Sequence, residues 1–429
     1  MQTNKKNKMG LSAAVSMAVG TMIGASIFSI FGIGAEIAGQ NLPEAFLLSG
    51  LYAFAVAYSY SKLGTKFISN AGPITFITKA IGDNLITGTL SVLLWLTYVV
   101  SIAMFAKAFS GYFLPLFNLS TNSVNVTIAE IFVVLFFTVL NFFGSKAVGK
   151  IEFYIVSVKI LILLFFAAFG LLSVKPANLT PSLNSQGING MLHASVIFFL
   201  SYMGFGLITN ASENIKNPSV NIPRAIYISI SIAMLIYLLV SLTAVGNISI
   251  DELINVKENA LAIAAKPFLG NFGFLLISIG ALFSIASALN ATLYGGANIS
   301  YSLAKDGELP DFFERKVWFK SEEGLYLTAA LSISFSVLLN MAGIASIVSI
   351  IFTTIYIFVL ISHYKLLKKV GGNKLLLSIN ILLLSTVFLA LLYYQIKSNG
   401  FIIYGTLFVF LGALLLEFIY RKISDRKFN

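Results

Sequence analysis

Lys159 stands inside the apolar run Ile151–Val174, in which no other residue between Glu152 and Lys175 carries a charge. The run is long enough to cross a hydrocarbon core once, which takes about 20 apolar residues. Lys159 lies nine residues beyond Lys150, about 13 Å along a helix axis. That is near the middle of a core roughly 30 Å thick. An amine there costs at least ~2.5 kcal/mol to insert, so its default surroundings are a cavity or polar partners. Such a group can donate hydrogen bonds as an ammonium and can also release its proton. The competing reading is a side chain that tilts to the nearer membrane surface.

Two glycine clusters form the second chemical signal. The first segment reads Gly20-Thr-Met-Ile23-Gly24-Ala25-Ser26-Ile-Phe28, and the sixth reads Ser201-Tyr202-Met203-Gly204-Phe205-Gly206. Glycine costs ~1 kcal/mol in a helix interior relative to alanine, so both segments are expected to break in mid-membrane. Irregular backbone survives at that depth only where it lines a cavity. A break exposes N–H groups that attract a carboxylate and carbonyls that accept from an ammonium. One site offering both suits a zwitterion such as a free α-amino acid. The expected contacts are Ile23, Gly24, Ala25, Ser26, Tyr202, Met203, Gly204 and Phe205. Each cluster also has a plainer reading. Gly20 and Gly24 form a small-xxx-small packing motif, and Tyr202 and Phe205 fit ordinary aromatic packing in a chain with 38 Phe.

The elements that must position these residues follow from composition. Of 429 residues 58% are hydrophobic and only 10% charged, against about 25% charged in soluble domains. The chain reads as an all-α membrane protein with twelve crossings, at 11–37, 43–69, 84–116, 124–142, 148–174, 190–212, 222–246, 271–304, 325–341, 343–364, 375–396 and 401–421. No cleavable signal peptide is expected. Of the 28 Lys and Arg, 22 fall in the termini and the loops on their side, four fall opposite, and Lys107 and Lys159 lie inside segments. That bias puts both termini in the cytoplasm and accounts for the net charge of +11 without nucleic acid. Cysteine is absent and the two histidines are far apart, which excludes thiol catalysis and argues against a metal centre. No cofactor is expected, and no constellation of catalytic groups suggests an enzyme.

Segments one and six hold matching places in two five-helix halves, about 11–174 and 190–364. Paired interruptions of this kind point to a transporter binding site at the midplane.

Three stretches carry a resemblance to a known family. Gly20–Phe28 resembles the glycine-rich first helix of the amino acid–polyamine–organocation (APC) superfamily. Asn217-Pro-Ser-Val-Asn-Ile-Pro223-Arg-Ala-Ile226 resembles its loop after helix six, and Ala304-Lys-Asp-Gly-Glu-Leu-Pro310 its loop after helix eight. The likeness spans the chain, and the helix-five lysine is similar to that of the prokaryotic ApcT-type proton-coupled transporters. The resemblance implies one transporter domain over 1–429 with a LeuT-type fold. That fold comprises two inverted five-helix repeats with broken helices 1 and 6, plus two extra helices at about 375–421. It further implies a cell-membrane amino-acid symporter, with the proton as coupling ion and alternating access as mechanism; the lack of an obvious charge among the expected pocket residues points to a broad range of neutral L-amino acids. An amino-acid exchanger and a non-transporting amino-acid sensor are the alternatives. In this branch the lysine ammonium sits where relatives hold sodium. Carried over, the partners of Lys159 are the Gly20 carbonyl and Ser284; Ser287, one turn further along, is added here from its position and not from the resemblance.

One departure is plain. Some proton-dependent relatives carry a glutamate where this chain has Gly206, so their acid-sensing device does not transfer. The remaining ionisable residues have plainer expectations. Lys107 reads as snorkelling to the outer interface, or as lining an outward vestibule. Glu130 and His193 read as interfacial, and Glu213 and His363 as solvated helix ends.

Overall fold

The computed structural model describes residues 8–142, 148–255, 259–305, 307, 309–316, 323–398 and 400–423, without the side chains of 25, 26, 142, 148–153, 398, 400 and 401. Its described residues are almost wholly helical and form no sheet.

The chain begins with α1 (Leu11–Ser29) and α2 (Phe31–Ala38), followed by α3 (Leu42–Lys66) and the short α4 (Pro73–Ile81). Three spans follow: α5 (Leu85–Leu116), α6 (Ser123–Phe142) and α7 (Val148–Gly170). The next crossing is composite. It consists of α8 (Ser185–Phe198), a 3₁₀ stretch over Phe199–Gly206, and α9 (Leu207–Asn210). After α10 (Pro218–Asn247) come the short α11 (Ile250–Asn255) and α12 (Ala260–Ala264), and the 40-residue α13 (Lys266–Lys305), kinked at Gly270. The chain continues with α14 (Glu323–Leu338), α15 (Met341–Lys365), the one-turn α16 (Leu367–Val370), α17 (Lys374–Ser398) and α18 (Gly400–Ile423).

Eleven described helical stretches are long and apolar enough to cross a bilayer. The expected twelfth, at 325–341, is the 16-residue α14, about 24 Å long at 1.5 Å per residue. It stops early because Asn340 leaves the helix to cap α15, its side chain accepting from the Gly343 N–H at 2.8 Å.

The two expected breaks differ from each other. In the first segment helix runs unbroken through Gly20 and Gly24 to Ser29, and the interruption falls at Ile30 (φ −116°, ψ 6°). Gly24 there serves close packing instead of a break. In the sixth segment the chain tightens into eight residues of 3₁₀ helix. Such runs rarely exceed three or four residues, and longer ones in mid-helix mark hinges or strain.

α1 is the central helix. It packs against α5, α7, α10, α13 and the 3₁₀ stretch. Its neighbours at the Met9 end are knotted by polar contacts. Met9 pairs with residues 214–216: its N–H donates to the Asn214 carbonyl at 2.7 Å, and its carbonyl accepts from Lys216 N–H at 2.8 Å. The loop before α4 joins the same knot. The Ser69 N–H donates to Ser212 Oγ at 3.0 Å, and that hydroxyl donates back to the Ser69 carbonyl at 3.0 Å.

This pairing makes a direct prediction. Because the chain has no native cysteine, the pair Met9→Cys and Ile215→Cys is expected to form a disulfide under copper phenanthroline in membranes, seen as loss of thiol labelling. Full labelling of both after oxidation would contradict the clasp.

Candidate functional site

α1 divides two environments. On one side lies Lys159, in the middle of α7 and 2% exposed. Its Nζ donates to the Gly20 carbonyl at 2.5 Å. Gly24, one turn on, lets α13 approach. A Cβ on Gly24 would lie 3.0 Å from Ala288 Cβ, 3.1 Å from Lys159 Nζ and 3.2 Å from the Ser284 carbonyl. Any larger residue would therefore separate α1 from both α7 and α13. Ser284 is fully buried, and its hydroxyl makes no hydrogen bond among the described residues. Ser287 lies half-buried further along α13.

On the other side of α1 lies a cavity of about 100 Å³. Thr21 and Met22 of α1 form one wall, and Leu200, Met203, Gly204 and Gly206 of the 3₁₀ stretch form the next. α5 supplies Thr97, Tyr98 and Ser101, α9 supplies Asn210, α13 supplies Thr292, and α15 supplies Phe352 and Tyr356. The lining is mostly apolar with a few hydroxyls and one amide, and none of its side chains carries a formal charge. Asn210 Nδ2 donates to the Tyr98 hydroxyl at 3.1 Å, and Tyr356 Oη donates to the Met203 carbonyl at 3.5 Å. Such a cleft, apolar with a few convergent polar groups, is the usual form of a small-molecule site.

Gly204 makes this wall possible. A Cβ there would lie 2.9 Å from the Ala18 carbonyl oxygen and 2.9 Å from the Met22 nitrogen. Only glycine lets the 3₁₀ backbone meet the α1 backbone without a shift. Gly206, by contrast, has open space beside it, with Tyr60 the nearest group at 3.8 Å.

The residues expected to touch substrate separate into three sets. Met203 and Gly204 line the cavity. Ile23 is fully buried, and Gly24 faces Lys159 rather than the cavity. Tyr202 points away from the cavity, its hydroxyl donating to the Phe46 carbonyl at 2.9 Å, and Phe205 packs edge-on to Tyr60 at 5.3 Å. The side chains of Ala25 and Ser26 lie outside the described residues. Of the expected Lys159 partners, the Gly20 carbonyl accepts from its Nζ, and the Ser284 hydroxyl has no hydrogen bond among the described residues.

Several polar residues were harder to foresee. Lys107 does not snorkel freely; it pairs with Glu130 at 3.1 Å, and that carboxylate is only 1% exposed. Glu130 is therefore a buried partner between α5 and α6, not an interfacial residue. A Lys and a Glu in adjacent spans were the available signal. His363 is fully buried, not solvated: Nδ1 meets Ser59 Oγ at 3.0 Å, and Nε2 meets the Gly371 carbonyl at 2.9 Å. Glu213 is exposed and binds Asn70. His193 is half-buried and stacks on Tyr394 at 4.0 Å. Tyr98, Asn210 and Tyr237 also escaped notice; each is a polar side chain within an apolar span.

Comparison with known proteins agrees with this architecture. The sequence profile of a family described as amino acid permease matches residues 9–416. An uncharacterised protein of Methanocaldococcus jannaschii is 63% identical over 99% of this chain and 98% of its own length. The inner membrane transport protein YbaT of Escherichia coli is 31% identical over 99% and 98%. The branched-chain amino acid permease BcaP of Bacillus subtilis is 26% identical over 71% and 68%.

The contact at Gly204 is testable. Overpacking of this kind costs about 1–3 kcal/mol of fold stability. Gly204→Ala is therefore expected to lower the thermal unfolding midpoint of the purified protein. Gly412→Ala, where a Cβ meets nothing within 4 Å, is expected to leave it unchanged. Equal midpoints in the two variants would contradict the close approach.

Proposed function

We propose that this chain, which belongs to the amino acid permease family, is a proton-coupled symporter of neutral L-amino acids. The observation that carries the reading is the Lys159 Nζ donating to the Gly20 carbonyl at 2.5 Å, on the same helix that lines the cavity through Thr21 and Met22. The uncharged lining supports neutral substrates, because a buried side-chain charge on the substrate would lack a partner there.

The cycle follows from α1 being shared. With its proton, Lys159 holds the Gly20 turn against α7, and Gly24 keeps that turn seated on α13. The amino acid binds in the cavity between α1 and the 3₁₀ stretch, its zwitterionic end meeting the lining hydroxyls and the Asn210 amide and its side chain the apolar walls. Loss of the proton removes the charge-assisted bond, worth about 1.5–3 kcal/mol, and frees α1 to move. Proton and substrate are coupled because both bias the same two-state motion. Movement of a bundle containing α1 and the composite crossing against the remaining helices gives alternating access. The same proposal includes two inverted five-helix halves with α17 and α18 as additions, a plasma-membrane location and cytoplasmic termini. Ser284 and Ser287 are placed as further polar company for Lys159 during the cycle. Uptake is expected without sodium.

Proteoliposomes with an imposed pH gradient test this. The intact chain is expected to accumulate radiolabelled L-alanine or L-leucine above equilibrium, and Lys159→Ala is expected to equilibrate without accumulating. Counterflow with and without a proton gradient separates a symporter from an exchanger. Gradient-driven accumulation by Lys159→Ala at the original rate would remove the lysine from the mechanism.

A further inference from the structure

Five lysines gather where α15 gives way to α17. Lys365 closes α15, Lys368 and Lys369 lie on α16, Lys374 opens α17, and Lys62 lies near the end of α3. All five are exposed, and none forms an ion pair among the described residues. Neither 58–66 nor 363–376 contains an Asp or Glu, whereas the stretch 305–323 mixes its four basic residues with six carboxylates. The charge is therefore concentrated, not scattered along every basic stretch. It is also held in place. His363 Nε2 meets the Gly371 carbonyl at 2.9 Å, and the Asn373 N–H donates to Tyr58 Oη at 2.8 Å. Lys62 is one turn beyond Tyr58 and shares its face of α3. Leu366 and Val370 are buried, which leaves Lys368 and Lys369 facing outward. Lys374 Nζ lies 5.7 Å from the centre of the Tyr364 ring.

We infer that this patch binds an anionic phospholipid of the adjoining leaflet. Two chemistries meet there. The ammonium groups suit a phosphate, and each lysine near an anionic membrane surface strengthens binding about fivefold. Directly after Lys374, α17 presents Leu375, Ile379 and Leu382, which are 70%, 52% and 70% exposed. Their i, i+4, i+7 spacing puts them on one face, and on a membrane span such a face meets acyl chains. A free phosphate would use the lysines and leave the apolar face idle. An acidic protein would meet the charge but not the face, which lies at the depth of the hydrocarbon. A lipid with an anionic head uses both. The tied loop fixes the ammonium groups beside the start of that face, so little ordering is needed when the lipid binds. The inference stands on the patch alone and does not depend on the proposed transport function.

The test is native mass spectrometry of the full chain in detergent, offered phosphatidylglycerol and phosphatidylcholine together. The intact chain is expected to retain phosphatidylglycerol in preference. The triple variant Lys368→Gln, Lys369→Gln, Lys374→Gln is expected to lose that retention at least tenfold, since three charges at about fivefold each exceed that factor, while phosphatidylcholine is held as before. A control variant, Lys305→Gln, Arg315→Gln, Lys316→Gln, removes the same charge from exposed positions elsewhere and is expected to keep the preference. Equal retention of the two lipids by the intact chain, or an equal loss in both variants, would overturn the inference. Glycerol phosphate, which has the anion without the acyl chains, is expected not to displace the bound lipid. Displacement by it would reduce the patch to a simple anion site and likewise defeat the assignment.

Discussion

Lys159 carries an amine into the middle of a membrane span, where its Nζ donates to the Gly20 carbonyl of α1. A cationic side chain at mid-membrane costs about 2.5–3.5 kcal/mol on insertion scales, and a charge-assisted hydrogen bond returns about 1.5–3 kcal/mol. The proposed coupling draws on the closeness of these magnitudes: in that proposal the cost of keeping the proton depends on where α1 sits, and the hold on α1 depends on the proton.

Close packing around α1 makes the bond consequential. Gly24 brings α13 to 3.0 Å of where a side chain would start, and Gly204 brings the 3₁₀ backbone to 2.9 Å. Tyr237 adds a hydrogen-bonded crosspiece from α10, and the Met9 pairing ties the segment before α1 to the residues after α9. In the proposed cycle a helix so constrained changes place together with what it is tied to, as packed interfaces do.

Much of this was legible in the sequence because membranes impose strong rules. Lys159 stood out by depth alone, and its Gly20 partner followed from family resemblance. The glycine clusters were visible, but their purposes were not separable by sequence. Gly20 and Gly24 belong to an unbroken helix packed against α7 and α13, whereas Ser201 to Gly206 belong to a true change of helix type. Both patterns read as weakened helix, and only the facing backbone tells them apart. The expected substrate contacts were half displaced for the same reason. Tyr202 and Phe205 flank the cavity residues Met203 and Gly204 in sequence but point elsewhere, since which face a residue presents depends on local helix pitch. The Lys107–Glu130 pair and the buried His363 were misjudged because an interface assignment uses position along a span and ignores the neighbouring one.

The most direct test follows protons themselves. Proteoliposomes loaded with a pH-sensitive dye, clamped at zero potential and without an imposed gradient, receive external L-alanine or L-leucine. The intact chain is expected to acidify the lumen as the amino acid enters, and Lys159→Gln is expected to leave the dye signal flat while still exchanging amino acid by counterflow. Acidification of equal size in Lys159→Gln would contradict the account.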